Sequence, residues 1–363
     1  MKYIRRKTGT DIGITENDII VMDHMKYKYI KIRRNNLIDD IIKLTKSIST
    51  EDEIIRTIGE KYLYGQVSGT IKKMIEIGVL EVSSFPDGIS LEEMRKVKMP
   101  EGAVDKRFAL EIAALKEYEK DGHDRFEVFN RIRSAEATII GAGGVGSNLA
   151  VMLTAYGLKK ITIIDDDYVE MDNLVRQVFY KETDCGKEKK AIALKRFLND
   201  FSSYTEIVTM EKYIMSDKDA DTYLSGSQLV IQTADRPKGY IDFWVNRTCV
   251  DKKIPVLFTH NGTIGPFYIP GESACFECFS SFLEEESKGL YLRTVSNLER
   301  NTGSIYPADV FGAWYIAYYL ACEVVDYIMG INKPKSINSL VKVSEGNLNV
   351  ISLDRKKNCN CCQ

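Results

Sequence analysis

The chain is poor in the things that would make it easy to place. It has three histidines in 363 residues, His24, His123 and His260. A hydrolase built on Ser-His-Asp chemistry therefore has little to draw on. Charge of one sign is also missing: 50 basic and 52 acidic residues leave a formal charge of −2. No global field draws the protein to nucleic acid or an anionic membrane. Long apolar runs are absent too. The most apolar late stretch, Tyr306 to Gly330, is interrupted by Asp309, Glu323 and Asp326 and reads as a buried helix. The start, MKYIRRKTGTDIG, has no apolar segment of signal-peptide length behind its basic residues. We expect a cytoplasmic protein without a membrane span, and no internal repeat or low-complexity tract is visible.

What is present divides in two. Residues 1 to 85 read as a small α+β module, with an alternating strand over Lys26 to Arg34 and helical periodicity in NLIDDIIKLTKSI, EDEIIRTIGEKYL and QVSGTIKKMIEIG. Three helices followed by a strand are the order of a winged helix. Its first 90 residues hold 15 basic and 13 acidic side chains, too balanced for a DNA-binding footprint. Residues 86–105 contain SSFPDGIS and KVKMPEG pieces and read as a linker. From 106 onward, strands alternate with helices. That pattern predicts a mostly parallel sheet with its ligand at the carboxyl ends of the strands.

The first of those strands, ATII, runs into GAGGVGS. Gly141, Gly143, Gly144 and Gly146 then lead into a helix, which aims backbone N–H groups at a phosphate. Asp165, at the end of ITIID, suits a ribose hydroxyl, so the glycines and this acid alone would fit a nicotinamide or flavin oxidoreductase equally well. The residues beyond favour a triphosphate. Arg176 and Lys189 supply cations that a dinucleotide does not need, and Asp235 closes the strand LVIQTAD, where a carboxylate can hold Mg²⁺ against phosphate oxygens.

Eight cysteines in a reducing compartment point to metal or catalysis before disulfides. Cys275-x-x-Cys278 and Cys359-x-x-Cys362 form two knuckles suited to a four-thiolate zinc, with Cys361 offering a competing register. Cys185, Cys249 and Cys322 read as packing, as do Tyr318 and Tyr319. His260, in FTHNGTIGPF, is a candidate lining residue for the acceptor pocket, set against an ordinary structural histidine.

GAGGVGS, DDDYVEMDNLVRQ, CGKEK, TAD and CFEC together resemble the ubiquitin-activating, ThiF-like adenylating superfamily, over residues 106–363. ADRPKGYIDFWVNRTCVDKKIPVL, GPFYIPGESACFEC and the small N-terminal module are most similar to its microcin- and pantocin-forming branch. The resemblance implies a Rossmann-like, doubly wound α/β domain, a homodimer, and ATP-dependent adenylation of a carboxylate on a ribosomal precursor peptide. It implies that Asp165 binds ribose with Asp167 beside it. It further implies that Asn173, Arg176, Gln177 and Lys189 contact the triphosphate, and that Asp235 binds magnesium. Many family members carry an Arg-aromatic-x-Arg segment before the first strand; here Arg107 and Phe108 are present and Leu110 takes the second arginine's place. Arg107 or Arg125 substitutes, or no arginine crosses a dimer. No cysteine lies between Phe279 and Ile316, where thioester-forming relatives often place theirs, so the acyl adenylate should be consumed directly.

Overall fold

The computed structural model describes residues 2–7, 9–24, 27–46, 49–83, 107–260, 262–297, 309–344, 347–359 and 361–362. The chain divides into two compact units, Met1–Lys98 and Met99–Gln363. The expected linker over 86–105 lies outside the described residues.

In the first unit, β1 (Tyr3–Arg6) is followed by an antiparallel meander of β2 (Thr10–Ile14), β3 (Asp18–Asp23) and β4 (Lys28–Arg33). Then come α1 (Asn36–Leu44), the two-residue β5 (Ser49–Thr50), α2 (Glu51–Ile58), α3 (Tyr64–Glu76) and β6 (Leu80–Ser83). Local chemistry starts and stops these helices. The Asn35 side chain accepts from Ile38 N–H, Thr50 and Glu53 form a reciprocal capping box, and Gly78, at φ +80°, turns the chain out of α3. β1 sits between β5 and β6 in a second small sheet. Alternation in β3 buries Ile19 and Val21, which pack with Ile41, Ile42, Ile54, Val67 and Ile71 from the helices into one core.

The second unit opens with α4 (Ala109–Ala114), a 3₁₀ turn over Leu115–Asp121 and α5 (Arg125–Ser134). This leading segment is thus a short α-helix that tightens into 3₁₀. The nucleotide-fold part follows: β7 (Glu136–Ile140), α6 (Gly144–Tyr156), β8 (Lys160–Ile164), α7 (Lys190–Phe201), β9 (Glu206–Met210), α8 (Asp217–Leu224), β10 (Val230–Gln232), α9 (Ile241–Asp251) and β11 (Val256–His260). β12 (Thr263–Tyr268), α10 (Phe276–Glu286), α11 (Tyr291–Ser296), α12 (Val310–Met329), β13 (Ser339–Ser344) and β14 (Asn347–Ser352) complete it.

The eight strands form one sheet in the order β14-β13-β12-β11-β10-β7-β8-β9. The five from β11 to β9 are parallel and the other three extend one edge antiparallel. The Rossmann-like doubly wound sheet is therefore present. All three residues of β10 and the last four of β7 are buried without alternation, the pattern of strands covered on both faces. β7 leads to β8 on one side, and β10 then returns to pair with β7 on the other. The order reverses between these two strands, and at such a reversal a crevice opens at the carboxyl ends.

α12 packs on α6 and α5. Among the described residues, no helix is long and apolar enough to cross a membrane. Its first half is less buried than the sequence suggests, since Phe311, Trp314 and Tyr318 are exposed. Tyr318 is thus a surface residue of this chain.

Candidate active site and metal centre

Two turns meet at the reversal between β7 and β10. Gly141 has φ +97°, and a Cβ there would lie 3.0 Å from Ala234 N and 3.1 Å from Thr233 Oγ1. Glycine lets the turn that carries Asp235 close onto the phosphate loop. Thr233 Oγ1 donates to Ile140 O at 2.8 Å and pins the same contact. At Gly146 a Cβ would stand 1.9 Å from Gly141 O, so the first turn of α6 can only be this tight with glycine. Gly143 is the N-cap of α6, with no side chain capping the helix and no acid in its first turn. Around Gly143 the space is open. An uncapped positive helix end facing open space suits an anion.

The loop is held from β8. Asp165 accepts from Ala142 N–H at 2.7 Å and from Asp167 N–H at 2.8 Å, while burial pushes its carboxyl above the usual range. Tyr180 donates to Ala142 O at 2.6 Å. At Asp167 burial works against ionisation, yet the Lys190 ammonium at 2.9 Å and the Tyr213 hydroxyl at 2.7 Å outweigh it and hold the carboxyl below its ordinary value. Sequence reasoning placed Asp167 at the site; it missed Lys190 and Tyr213 as its partners.

The cations lie around this frame. A Cβ on Gly144 would meet Arg176 Cγ at 3.3 Å, so Arg176 packs against the phosphate loop, and its guanidinium donates to Asp172 O at 3.0 Å. Lys189 caps α7, pairs with Asp166 Oδ1 at 3.0 Å and lies 4.2 Å from the centre of the Tyr168 ring. Its hydrogen bond with Asp166 keeps the ammonium above its usual value, so it is charged. Asn173 is buried, accepts from Glu170 N–H and donates to Asp172. Gln177 is buried too, and its Oε1 has no partner among the described residues, leaving one acceptor for a ligand. Asp235 is exposed just past the end of β10, a position from which a carboxylate can reach a cation held by phosphates.

Arg107 donates to Phe201 O at 2.9 Å and lies over the Phe201 ring. Arg125 is 6% exposed and pairs with Glu119 at 3.4 Å. Both are engaged within their own chain. The side chain of Leu110 lies outside the described residues.

The four knuckle cysteines converge although 84 positions separate the pairs. Their sulfurs all lie within 4.8 Å of one another and are buried. Cys275 to Cys359 is 3.7 Å and Cys278 to Cys362 is 3.6 Å. Disulfides would need about 2.05 Å. A tetrahedron of thiolates at about 2.3 Å from a zinc has edges of about 3.8 Å, close to what is seen. Without a cation the thiols work against one another: hydrogen bonding pushes Cys275 up and pulls Cys362 down. Cys361 is not one of the four mutually close sulfurs; it contacts Cys275 and accepts from Asn246 Nδ2 at 3.2 Å. Cys249 is buried and its thiol is pushed up by that burial, as befits a packing residue, while Cys185 and Cys322 are partly exposed.

Comparison with known proteins agrees with this geometry. The sulfur carrier protein ThiS adenylyltransferase of Bacillus subtilis is 30% identical over 154 residues, 41% of this chain and 44% of that protein. The sulfur carrier protein adenylyltransferase of Thermus thermophilus is 27% identical over 244 residues, 64% of this chain and 83% of that protein. Ubiquitin-like modifier-activating enzyme 5 of Drosophila simulans is 32% identical over 166 residues, 41% of this chain and 40% of that protein. The chain thus spans less than half the length of the first and third of these. E. coli MccB solved with ATP superposes at a TM-score of 0.68 with 21% identity over 100% of both chains. PaaA does so at 0.64 with 18% identity over 96% of this chain and 99% of its own. These likenesses show a shared fold. The ThiF family profile matches residues 111–363, about seven-tenths of the sequence, and the chain belongs to the ThiF family.

Proposed function

We propose that the protein is an ATP-dependent adenylyltransferase acting on a carboxylate of a ribosomally made precursor peptide. The observation that carries the reading is the open, uncapped N-terminus of α6, with Arg176 packed on its phosphate loop and the Thr233–Ala234 turn just before Asp235 closed onto that loop at Gly141. Relatives named adenylyltransferases and activating enzymes favour a nucleoside triphosphate over a redox dinucleotide.

In this reading, Asp165 turns the phosphate loop and faces the ribose, and Gln177 Oε1 and Asn173 line the nucleotide. The substrate carboxylate oxygen forms a bond to the α-phosphorus as the bond to the bridging oxygen breaks, and the electron pair leaves with pyrophosphate. Arg176 and Lys189 stabilise that leaving charge, which is greatest in the transition state. Asp235 would hold Mg²⁺, which when bound supplies charge neutralisation on the phosphates. Cys275, Cys278, Cys359 and Cys362 would hold Zn²⁺ as a structural tie.

The first unit supplies the peptide site in this proposal. β4 is an edge strand of its meander, and just beyond it a pocket of about 500 Å³ is lined by Asn35, Leu37, Tyr62, Gln66 and Thr70. An extended peptide could add to such an edge through its main chain and place side chains in the pocket. MccB has been solved with N-formylated MccA, at a TM-score of 0.69 and 20% identity, which supports a peptide as substrate here. A homodimer, implied by the family resemblance, belongs to the same proposal.

The test is pyrophosphate release with candidate precursor peptides, ATP and Mg²⁺, followed by mass spectrometry of the peptide. Gain of an adenylyl group gives a nucleotide conjugate; loss of water gives a side-chain condensation. Asp235→Ala should keep the fold and lose peptide-dependent release by on the order of a hundredfold or more. Release undiminished in that variant would overturn the role given to Asp235.

A further inference from the structure

The turn that presents Asp235 is gripped from behind by a side-chain clamp. Gln232 is the last residue of β10 and has no solvent exposure. Its carboxamide folds forward onto one residue: Ala234 N–H donates to Oε1 at 3.2 Å, and Nε2 donates to Ala234 O at 2.9 Å. Both polar groups of Ala234 are thereby satisfied by one side chain. Nε2 also donates to Oδ1 of Asp242, at 2.9 Å.

Asp242 stands in the first turn of α9 and is 7% exposed. Burying a carboxylate is costly, and burial raises this one above the ordinary range, with His260 opposing the shift. His260 Nε2 lies 3.7 Å from the same Oδ1 and has no hydrogen-bond partner among the described residues. The imidazole is instead wedged among the rings of Phe258, Phe276 and Phe279. Asp242 decides which way the glutamine points, because only the amide nitrogen can face an acceptor. A flipped carboxamide would set its nitrogen against Ala234 N–H and its oxygen against Ala234 O.

We propose that Gln232 and Asp242 are positioning residues for Asp235. They fix the peptide immediately before it and so set the direction in which its carboxylate leaves the strand end. The proposal rests on the assignment of Asp235 to a metal bound with ATP. It predicts that the clamp governs metal-dependent nucleotide binding while leaving the nucleotide pocket itself unchanged.

The experiment is calorimetric titration of the full-length protein with a non-hydrolysable ATP analogue, once with Mg²⁺ and once with chelator. The ratio of the two affinities is the readout. Asp235→Ala should abolish the metal-dependent gain. Gln232→Met, similar in size but without polar ends, should keep the chelator affinity within about twofold and lose the gain by about tenfold, the lower end of what partners behind a metal ligand contribute. Asp242→Asn keeps an acceptor oxygen for Gln232 and should stay within about threefold of the natural protein. If Gln232→Met fails to fold, Asp242→Leu removes the acceptor from the other side and should show the same selective loss. A natural metal dependence in the folded Met or Leu variant overturns the clamp. Equal loss with and without metal also overturns it, because that is the mark of general loosening. Metal dependence that survives in Asp235→Ala overturns the metal assignment, and the clamp's purpose with it.

Discussion

At the scale of single residues, the glycines of the phosphate loop separate folding from function. Gly146 leaves no room for a Cβ, which would fall 1.9 Å from Gly141 O, whereas a Cβ on Gly143 meets nothing within 4 Å. Gly146→Ala should therefore cost about 3 kcal/mol or more, as overpacking against backbone does, and appear as a lowered Tm or loss of soluble protein. Gly143→Ala should leave Tm within a few degrees and weaken ATP binding, because the space it fills is the space a phosphate needs. Equal Tm for the two variants would contradict this account. The glycines, Asp165, Arg176, Lys189 and Asp235 could be picked out of the sequence as candidates, because each lies in a short motif whose spacing suggests its chemistry. Gln232, Asp242 and His260 were not legible as a unit. They come from a strand end, a helix start and another strand end, and nothing local in any of the three predicts that the other two are neighbours.

At the scale of elements, long periodic helices and the apolar strands of the parallel sheet could be read directly. The strand written as Lys26 to Arg34 is found over Lys28–Arg33, and the third helix runs from Tyr64 to Glu76. The two-residue β5 escaped because it is too short to show alternation. The exposed aromatic side of α12 escaped because a run apolar on all sides has no period to say which face looks outward. The knuckles belong to this scale. Cys275 caps α10, and Lys356 N–H, from the segment after β14, donates to Cys278 Sγ at 3.5 Å. The metal would thus join a helix start to the chain beyond the last strand. Elemental analysis should find one zinc per chain, and Cys359→Ser with Cys362→Ser should lose it. Tm should then fall by on the order of 10 °C, since a structural zinc contributes several kcal/mol and each kcal/mol is worth roughly 2–4 °C in a domain of this size. Zinc retained in the double variant would place the ligands elsewhere.

For the whole molecule, the proposed function divides its work between the two units. The second unit contains every group assigned to ATP, and the first contains the edge strand and pocket assigned to the peptide. Deleting residues 1–85 should raise the Michaelis constant for a full-length precursor by about tenfold or more, as expected when main-chain and pocket contacts are lost together, and leave ATP affinity within about twofold. A folded truncated protein that handles the peptide as well as the intact one would reject the peptide role of the first unit.

The 84-residue separation of the two knuckles also bears on how the chain reaches its native state. Closing a loop of that length costs about 4–5 kcal/mol of chain entropy, by the estimate used for disulfides, and the ion's binding energy would offset it on folding. The contact the ion makes is a long-range one, and a loop must close before such a contact can form. The second knuckle lies beyond β14, so the ion would act as a latch on that last segment, with the parallel strands held by their own pairing. Hydrogen exchange in chelator should show amides of β7, β8 and β9 still protected while those of β14 and the chain beyond it exchange early.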